Sequence, residues 1–354
     1  MNHTIWFFSV TSATQRFSLL GLAFATNALI GCLLVAGTAT AGFTTLGDSQ
    51  KLSESGPAFR FHLLSSSSSI EAPGSPLVVL LGGGPGFSSW NLEPIQKRLH
   101  QAGHSVVVMD MIGIGENAEV LNQLSGAAPG HILPIWIRQI RALHQASGER
   151  PLILVGHSWG ALMAMLYTRA YPEEVKQWVL LNPVDPERKA MQGLVEMIDQ
   201  RRSRLTGQTD RTKAWDDWPD DREESRSEGS ESRLAERQLI EVLPTYFADM
   251  AQGRRYAAQF DAGDFRPGLN VQAWQEYAAD PIGYDWIRNW HNQGKRRVDF
   301  IECDQDYFMP TNLRVMRANM TLDSVTVLKA CAHFPWVEQP QAFYPALLSV
   351  LKQP

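Results

Sequence analysis

The sequence predicts an α/β fold, with a mostly parallel, doubly wound sheet that is covered by helices on both faces and carries a helical cap insertion. Short aliphatic runs alternate with amphipathic stretches that are long enough to be crossover helices. This alternation stops after residue 182 and resumes near residue 298. The chain has 354 residues, of which 44% are apolar, so it can bury one large core around such an insertion.

The predicted elements follow one another as expected for such a sheet. Runs rich in Val, Ile and Leu predict strands that are buried on both faces, as in parallel sheets. Apolar residues at helical spacing predict the connecting helices. The predicted strands are residues 59–64, 77–81, 105–110, 152–156, 178–182, 298–303 and 324–328, and the predicted helices include residues 92–101, 132–147 and 161–171.

The first 41 residues are predicted to lie outside this core. Residues 17–41 carry no charge, follow Arg16 and end in Ala39-Thr40-Ala41, which is typical of an export signal with a cleavage site. Two alternatives remain open: an uncleaved membrane anchor, since about 25 uncharged residues can span a bilayer, and lipidation at Cys32. We therefore expect an exported protein, periplasmic or extracellular, that contacts a membrane only through this segment.

The remaining chain is predicted to form a core from residues 42–182 and 291–354, with residues 183–290 inserted as the cap. Residues 201–232 are too charged and too poor in aliphatic side chains to pack, which predicts a mobile segment within the cap. The net charge of -5 and the lack of a basic stripe argue against nucleic acid as a partner. A small molecule or a short peptide is the expected substrate.

A G-x-S-x-G motif at residues 156–160 predicts a nucleophile at Ser158. The motif alone is a weak signal, but it lies between an aliphatic strand and a run of helix-forming residues. A turn this tight excludes side chains at both glycines and leaves the serine standing out from the backbone. The alternative is a tight strand-to-helix turn whose serine only caps the helix.

A serine nucleophile needs a base and an acid that orients the base, and both should follow it along the chain. His333 comes directly after the last predicted strand and is the candidate base. Asp304 and Asp306 follow the strand before it and Asp185 follows an earlier strand, so all three are candidate acids.

The glycine-rich run at residues 82–86 follows a buried strand and offers backbone N–H groups for an oxyanion. The alternative is a Gly/Pro loop without a chemical role. The run lacks the Lys-Ser/Thr of a phosphate loop and the later glycine of a dinucleotide site. No Cys/His cluster has metal-ligand spacing, so we expect neither a metal nor an organic cofactor.

Together these motifs resemble those of α/β-hydrolases, and more narrowly those of proline iminopeptidase-like enzymes. The run at residues 82–86 is similar to the family's His-Gly-Gly-Pro-Gly loop, and residues 110–115 are similar to its D-x-x-G-x-G loop. The family's serine is commonly followed by Trp, as Ser158 is here by Trp159. The similarity covers residues 76–182 and 298–340.

The resemblance implies a serine hydrolase that forms an acyl-enzyme. It implies Ser158 as nucleophile, His333 as base, Asp306 as orienting acid, and the N–H groups of Gly84 and Trp159 as the oxyanion hole. The residue at the tight turn between strand and helix, the nucleophile elbow, is a serine rather than an aspartate, which disfavours hydrolysis of epoxides or haloalkanes.

Departures from the family pattern leave the substrate open. Gly82 replaces the family's His, and no cap acids can be matched to those that bind the free N-terminus of a peptide. The expected substrate is a carboxylic ester, an amide or an N-terminal peptide bond. An acyltransferase with the same triad and a catalytically silent ligand-binding homologue are the alternatives.

The cysteines relate the site to the compartment. If export removes Cys32, only Cys303 and Cys331 remain, which is an even number in an oxidising compartment. A fold that brings Asp306 to His333 also brings these two cysteines near each other. A disulfide and two buried thiols both remain open, because the Cα distance cannot be read from the sequence.

Overall fold

The computed structural model describes the core and much of the insertion. The described residues are 50–52, 58–65, 74–124, 131–187, 200, 203, 233, 235–236, 238–294, 296–306 and 311–352. The predicted export segment and all of the charged stretch 201–232 except Ser203 lie outside these residues. Within the described part of the chain, no helix is long and apolar enough to cross a membrane.

The strands form one mostly parallel sheet. They are β1 (Gln50–Leu52), β2 (Phe59–Leu64), β3 (Leu77–Leu81), β4 (Val106–Val108), β5 (Leu152–His157), β6 (Val175–Leu181), β7 (Arg297–Cys303) and β8 (Ser324–Leu328). Their order across the sheet is β1-β2-β4-β3-β5-β6-β7-β8. The β1–β2 and β2–β4 pairs are antiparallel, and all other pairs are parallel. This topology confirms the predicted fold class, whereas β1 was not predicted.

Helices cover both faces of the sheet. They are α1 (Glu93–Gln101), α2 (Ala118–Leu124), α3 (Ile132–Ala146), α4 (Trp159–Ala170), α5 (Met250–Ala257), α6 (Pro267–Ala279), α7 (Tyr284–Asn292), α8 (Thr311–Asn319), α9 (Pro335–Glu338) and α10 (Pro340–Leu351). Helices α5 to α7, a π-helical turn at Gln238–Val242 and a 3-10 turn at Leu243–Tyr246 all come between β6 and β7.

Two hydrophobic clusters lie on opposite faces of the sheet because successive strand side chains point to opposite sides. In β3, Val79 packs into the cluster that α3 and α4 cover, together with Ile140 and Leu162. Its neighbours Val78 and Leu80 pack into the cluster that α1 and α10 cover. Burial on both faces explains why β3 and β5 read as unbroken aliphatic runs.

The strand predicted at residues 105–110 is shorter in the structure and covers only Val106–Val108. Asp110 instead organises the loop that follows. Its carboxylate accepts the backbone N–H groups of Ser89 at 2.6 Å and Glu116 at 3.0 Å. A Cβ on Gly115 would lie 2.0 Å from the Asp110 carboxylate, so this loop needs glycine there.

Candidate active site

Ser158 occupies a strained turn between β5 and α4. Its φ is 53° and its ψ is -116°, a conformation that non-glycine residues rarely adopt. A Cβ on Gly156 would lie 2.5 Å from the Gly160 carbonyl oxygen, and a Cβ on Gly160 would lie 2.1 Å from the Leu81 carbonyl oxygen. The turn therefore has the crowding at both glycines that the motif predicts. Ser158 itself is 7% exposed.

The structure brings His333 and Asp306 together. The His333 Nδ1 lies 2.7 Å from the Asp306 Oδ2, and the two residues are 2% and 3% exposed. Asp306 follows β7 and His333 follows β8. These strands are parallel neighbours, so their carboxyl ends lie at the same edge of the sheet. The pair forms a buried, charge-assisted hydrogen bond at that edge.

The two rival acids have other partners. Asp304 accepts the backbone N–H of Ala330 at 2.9 Å in the loop after β8. Asp185 accepts the Tyr284 hydroxyl at 2.6 Å, and burial raises the pKa of this carboxyl. Of the three candidate acids, it is Asp306 that the structure places against His333.

The glycine-rich loop lies directly against Ser158. A Cβ on Gly83 would lie 2.8 Å from the Ser158 Cβ, so a side chain cannot be placed there. The next residue, Gly84, has a φ of 67°, which favours glycine. Trp159 is the first residue of α4, where an N–H has no acceptor within its own helix. Trp159 thus directly follows the predicted nucleophile, and Gly84 directly follows the glycine that packs against it.

The insertion holds this loop from the other side. The Arg266 N–H donates to the Gly86 carbonyl at 2.9 Å, and the Asn270 side chain donates to the Pro85 carbonyl at 2.6 Å. A Cβ on Gly86, whose φ is 93°, would lie 2.6 Å from the Arg266 carbonyl oxygen. The start of α6 is therefore packed directly onto the loop that bears Gly84.

Sequence reasoning missed two buried side chains that support the candidate site. The Nε2 of His157 lies 2.8 Å from the carbonyl oxygen of His333, and burial lowers the pKa of His157 well below its usual value. A neutral His157 therefore donates to that carbonyl. Asn182 donates to the Ala332 carbonyl at 2.9 Å and accepts the Cys303 N–H at 2.8 Å. Both polar residues end aliphatic strands at the sheet's carboxyl edge, which is the signal that could have revealed them.

Cys303 and Cys331 form a disulfide, with their Cα atoms 5.1 Å apart. This answers the question that the sequence left open. The bond joins the end of β7, which leads to Asp306, to the loop that carries His333. It therefore cross-links the segment that leads to the candidate acid with the segment that carries the candidate base.

Glu302 is a buried carboxyl group close to this pair. Burial, and then the nearby Asp306 carboxylate, raises the pKa of Glu302 to about 8, against a smaller lowering by Arg317. Its Oε1 has no hydrogen-bond partner within the part of the chain that the structure describes. A protonated Glu302 adds no second negative charge beside Asp306 at neutral pH.

Replacing Glu302 by glutamine is expected to stabilise the protein relative to wild type, and this difference in stability should grow as the pH rises. The folded protein holds this proton up to a pH near 8, whereas the unfolded chain releases it near 4.5. The wild-type protein therefore loses stability as the pH rises through this window, by up to about a few kcal/mol. Thermal unfolding of wild type and Glu302→Gln at about pH 5 and about pH 8 measures the difference. An equal difference at both pH values contradicts the prediction.

No grouping of three or more His, Cys, Asp or Glu side chains that could hold a metal ion occurs among the described residues. The glycine-rich loop is enclosed by Ser158 on one side and by Arg266 on the other. Ser158 follows β5, Asp306 follows β7 and His333 follows β8, so a hydroxyl and an imidazole paired with a carboxylate lie at the same edge of the parallel sheet as the glycine-rich loop after β3. This set suits nucleophilic attack on a carbonyl.

Comparison with known proteins agrees with this architecture. The family model for the alpha/beta hydrolase fold matches residues 76–340. The chain belongs to the α/β-hydrolase fold family. A proline iminopeptidase of Lactobacillus delbrueckii subsp. bulgaricus is 29% identical over 111 residues, which are 31% of this chain and 37% of the relative. Epoxide hydrolase 4 of Mus musculus is 31% identical over 109 residues, which are 31% of this chain and 28% of the relative. The matched segments span 28% to 41% of the length of such curated relatives.

Solved structures share the fold at low sequence identity. A thermophilic esterase from Thermogutta terrifontis has a TM-score of 0.58 at 17% identity, over 86% of this chain and 98% of that chain. A 2-hydroxy-6-oxo-6-phenylhexa-2,4-dienoate hydrolase from Rhodococcus sp. strain RHA1 has a TM-score of 0.52 at 18% identity, over 86% of this chain and 100% of that chain. These likenesses show the fold alone.

Proposed function

We propose that this protein is a serine hydrolase that cleaves a carboxylic ester, an amide or an N-terminal peptide bond. The observation that carries the proposal is the buried His333–Asp306 pair, at 2.7 Å, at the same sheet edge as the strained turn of Ser158. Strained serine turns that a surrounding fold holds in place are typical of nucleophiles.

The proposed mechanism follows from the roles of these groups. Asp306 holds Nδ1 of His333, so Nε2 is the nitrogen that takes the Ser158 proton as the hydroxyl attacks the carbonyl carbon. The N–H groups of Gly84 and Trp159 stabilise the oxyanion, and loss of one such donor costs roughly 3 kcal/mol. His333 then protonates the leaving group. Water, activated by the same imidazole, releases the acyl group from Ser158.

The acids of the insertion bear on the substrate class. Glu276 accepts the N–H groups of Ile132 at 2.7 Å and Leu133 at 2.9 Å, at the start of α3. Asp264 accepts the Ser88 hydroxyl at 2.6 Å and the indole N–H of Trp90 at 3.0 Å. These two carboxylates are therefore engaged in structural hydrogen bonds and are not proposed as the binding site for the free amine of a peptide.

A fluorophosphonate probe together with matched substrates tests the proposal. We expect stoichiometric labelling of Ser158 and turnover of short-chain 4-nitrophenyl esters. Proline 4-nitroanilide, with a free and with a blocked amine, tests the peptide option. Excess alcohol acceptor tests for acyl transfer, which would appear as a new ester in place of the free acid. Absence of labelling, with no turnover of any of these substrates, would refute the hydrolase proposal.

We also propose that the protein is exported. The Cys303–Cys331 disulfide supports this, because such bonds persist in oxidising compartments. The uncharged segment at residues 17–41 supports it independently. Mass spectrometry of the N-terminus of the mature protein distinguishes cleavage after Ala41 from an uncleaved anchor and from lipidation at Cys32.

Reduction of the disulfide is expected to lower activity before it lowers the melting temperature. The pairing of β7 with β8 survives reduction, so the sheet stays intact while the loops of Asp306 and His333 gain freedom. Activity and thermal unfolding are measured across a series of reductant concentrations, with the Cys303→Ser/Cys331→Ser double variant as the control. Two free thiols in the denatured, unreduced mature protein would contradict the premise.

A further inference from the structure

The carboxylate of Glu338 binds the loop that carries His333 on both sides of that residue. Its Oε1 accepts the backbone N–H groups of Ala332 at 3.0 Å and Phe334 at 3.1 Å, the residues on either side of the candidate base. Its Oε2 accepts the N–H of Ala248, in the insertion, at 2.8 Å. Three backbone donors from two parts of the chain therefore converge on this side chain.

Local sequence explains how Glu338 reaches this position. Phe334 is the N-cap residue of α9, which begins at Pro335 and ends at Glu338. An acidic side chain in the first turn of a helix can reach back to the N–H of the N-cap, as the glutamate of a capping box does. Because α9 starts directly after His333, this reach-back also encloses the candidate base.

The same loop contacts the insertion through His333 itself. The His333 N–H donates to the Tyr246 carbonyl at 2.9 Å, two residues before Ala248. The N–H groups of residues 332–334 are thus bound alternately by Glu338, by Tyr246 and again by Glu338. The insertion therefore holds the base loop at two points, one of them through the carboxylate.

The electrostatics of Glu338 fit this role. Burial raises the pKa of its carboxyl, while the three N–H groups and the positive form of His333 lower it. Among the described residues, other titratable groups that face His333 include Asp306, at its Nδ1, His157, at its carbonyl, and Tyr246, whose ring packs edge-on against the imidazole with the ring centroids 5.5 Å apart.

We propose that Glu338 is a positioning residue, which orients His333 and ties the base loop to residues 246–248 of the insertion. The proposal rests on the hydrolase function proposed above. A displacement of about 1 Å in a catalytic group can cost about 100-fold in rate. Glu338 therefore acts on kcat, through His333, rather than on substrate affinity.

Steady-state kinetics of Glu338→Gln provide the first test. Glutamine keeps the shape but has one carbonyl oxygen and no charge, so it cannot accept from both the base loop and Ala248. We expect kcat for a 4-nitrophenyl ester to fall about 10- to 100-fold with KM changed less than about threefold. Glu93→Gln, which removes an exposed carboxylate on α1 paired with Lys97 at 2.8 Å, is the matched control.

Hydrogen exchange provides a second readout that does not depend on activity. In Glu338→Gln, and more strongly in Glu338→Ala, peptides covering residues 332–334 and 246–249 should exchange faster, while β5 and β6 stay protected. Unchanged protection of these two segments, or a kcat within twofold of wild type, overturns the positioning role. A wild-type protein that neither reacts with fluorophosphonate nor turns over esters refutes the hydrolase function instead, and exchange still decides whether Glu338 holds the loop.

Discussion

Replacement of Ser158 by alanine is expected to abolish ester hydrolysis while leaving the fold intact. The hydroxyl is the only group lost, and it stands at a strained turn where it contributes little packing. Loss of a serine nucleophile typically lowers kcat by about 10⁶-fold. Turnover of a 4-nitrophenyl ester, fluorophosphonate labelling and thermal unfolding of both proteins measure the effect. We expect no detectable turnover, no labelling and a nearly unchanged melting temperature.

A matched serine variant separates chemistry from a general effect of the substitution. Ser147, which follows α3, donates its hydroxyl to the His144 carbonyl at 2.6 Å. It precedes β5, whereas Ser158 follows that strand. Ser147→Ala should keep wild-type kcat and full labelling. If Ser158→Ala retains even a tenth of the wild-type rate, Ser158 is not the nucleophile.

The parts of the candidate site that sequence could predict are those marked by a motif or by their order along the chain. Gly156 is required because the Gly160 carbonyl oxygen, four residues later, crowds its Cα position, and Gly160 is required because the end of the neighbouring strand β3 crowds it. The acid and the base follow strands, and parallel strands end at the same sheet edge. Order along the chain therefore selected His333 and limited the acid to Asp306, Asp304 and Asp185, of which the structure places Asp306 against His333.

The supports of the base loop depend on distant parts of the chain, and sequence did not reveal them. Asn182 bonds to Ala332, 150 residues later, and His157 bonds to the His333 carbonyl, 176 residues later. Glu338 lies close to His333 in sequence, but its third donor comes from Ala248, 90 residues earlier. Such contacts depend on how the insertion returns to the sheet, which periodicity and composition do not encode.

The disulfide and the first strand show the same limit. The sequence placed Cys303 and Cys331 near each other but could not supply their Cα distance, which depends on the loops after β7 and β8. The short strand β1 has only three residues and pairs with the antiparallel edge of the sheet, where no apolar run marks it. Distances and edge pairings of this kind require the folded backbone.

The second large effect is expected for the acid, where Asp306→Asn should lower kcat about 10⁴-fold with KM little changed. An amide at this position can present its NH₂ to the His333 Nδ1, which lies 2.7 Å from the carboxylate in the native protein. The imidazole then carries its proton on Nε2, the nitrogen that must accept the Ser158 proton. Fluorophosphonate labelling should become slow, because His333 can no longer take the Ser158 proton. The turn at Ser158 is unchanged, so the protein should still fold.

Asn substitutions at the two rival acids are the matched controls for Asp306→Asn. Asp304→Asn should leave kcat within a few-fold of wild type, because this side chain binds the Ala330 N–H rather than the imidazole. Asp185→Asn should lower the melting temperature with kcat retained, because its buried carboxyl accepts the Tyr284 hydroxyl at 2.6 Å. Parallel measurement of kcat, labelling rate and thermal unfolding for the three variants compares them directly. A loss of kcat in Asp185→Asn that exceeds the loss in Asp306→Asn would move the orienting acid from β7 to the end of β6.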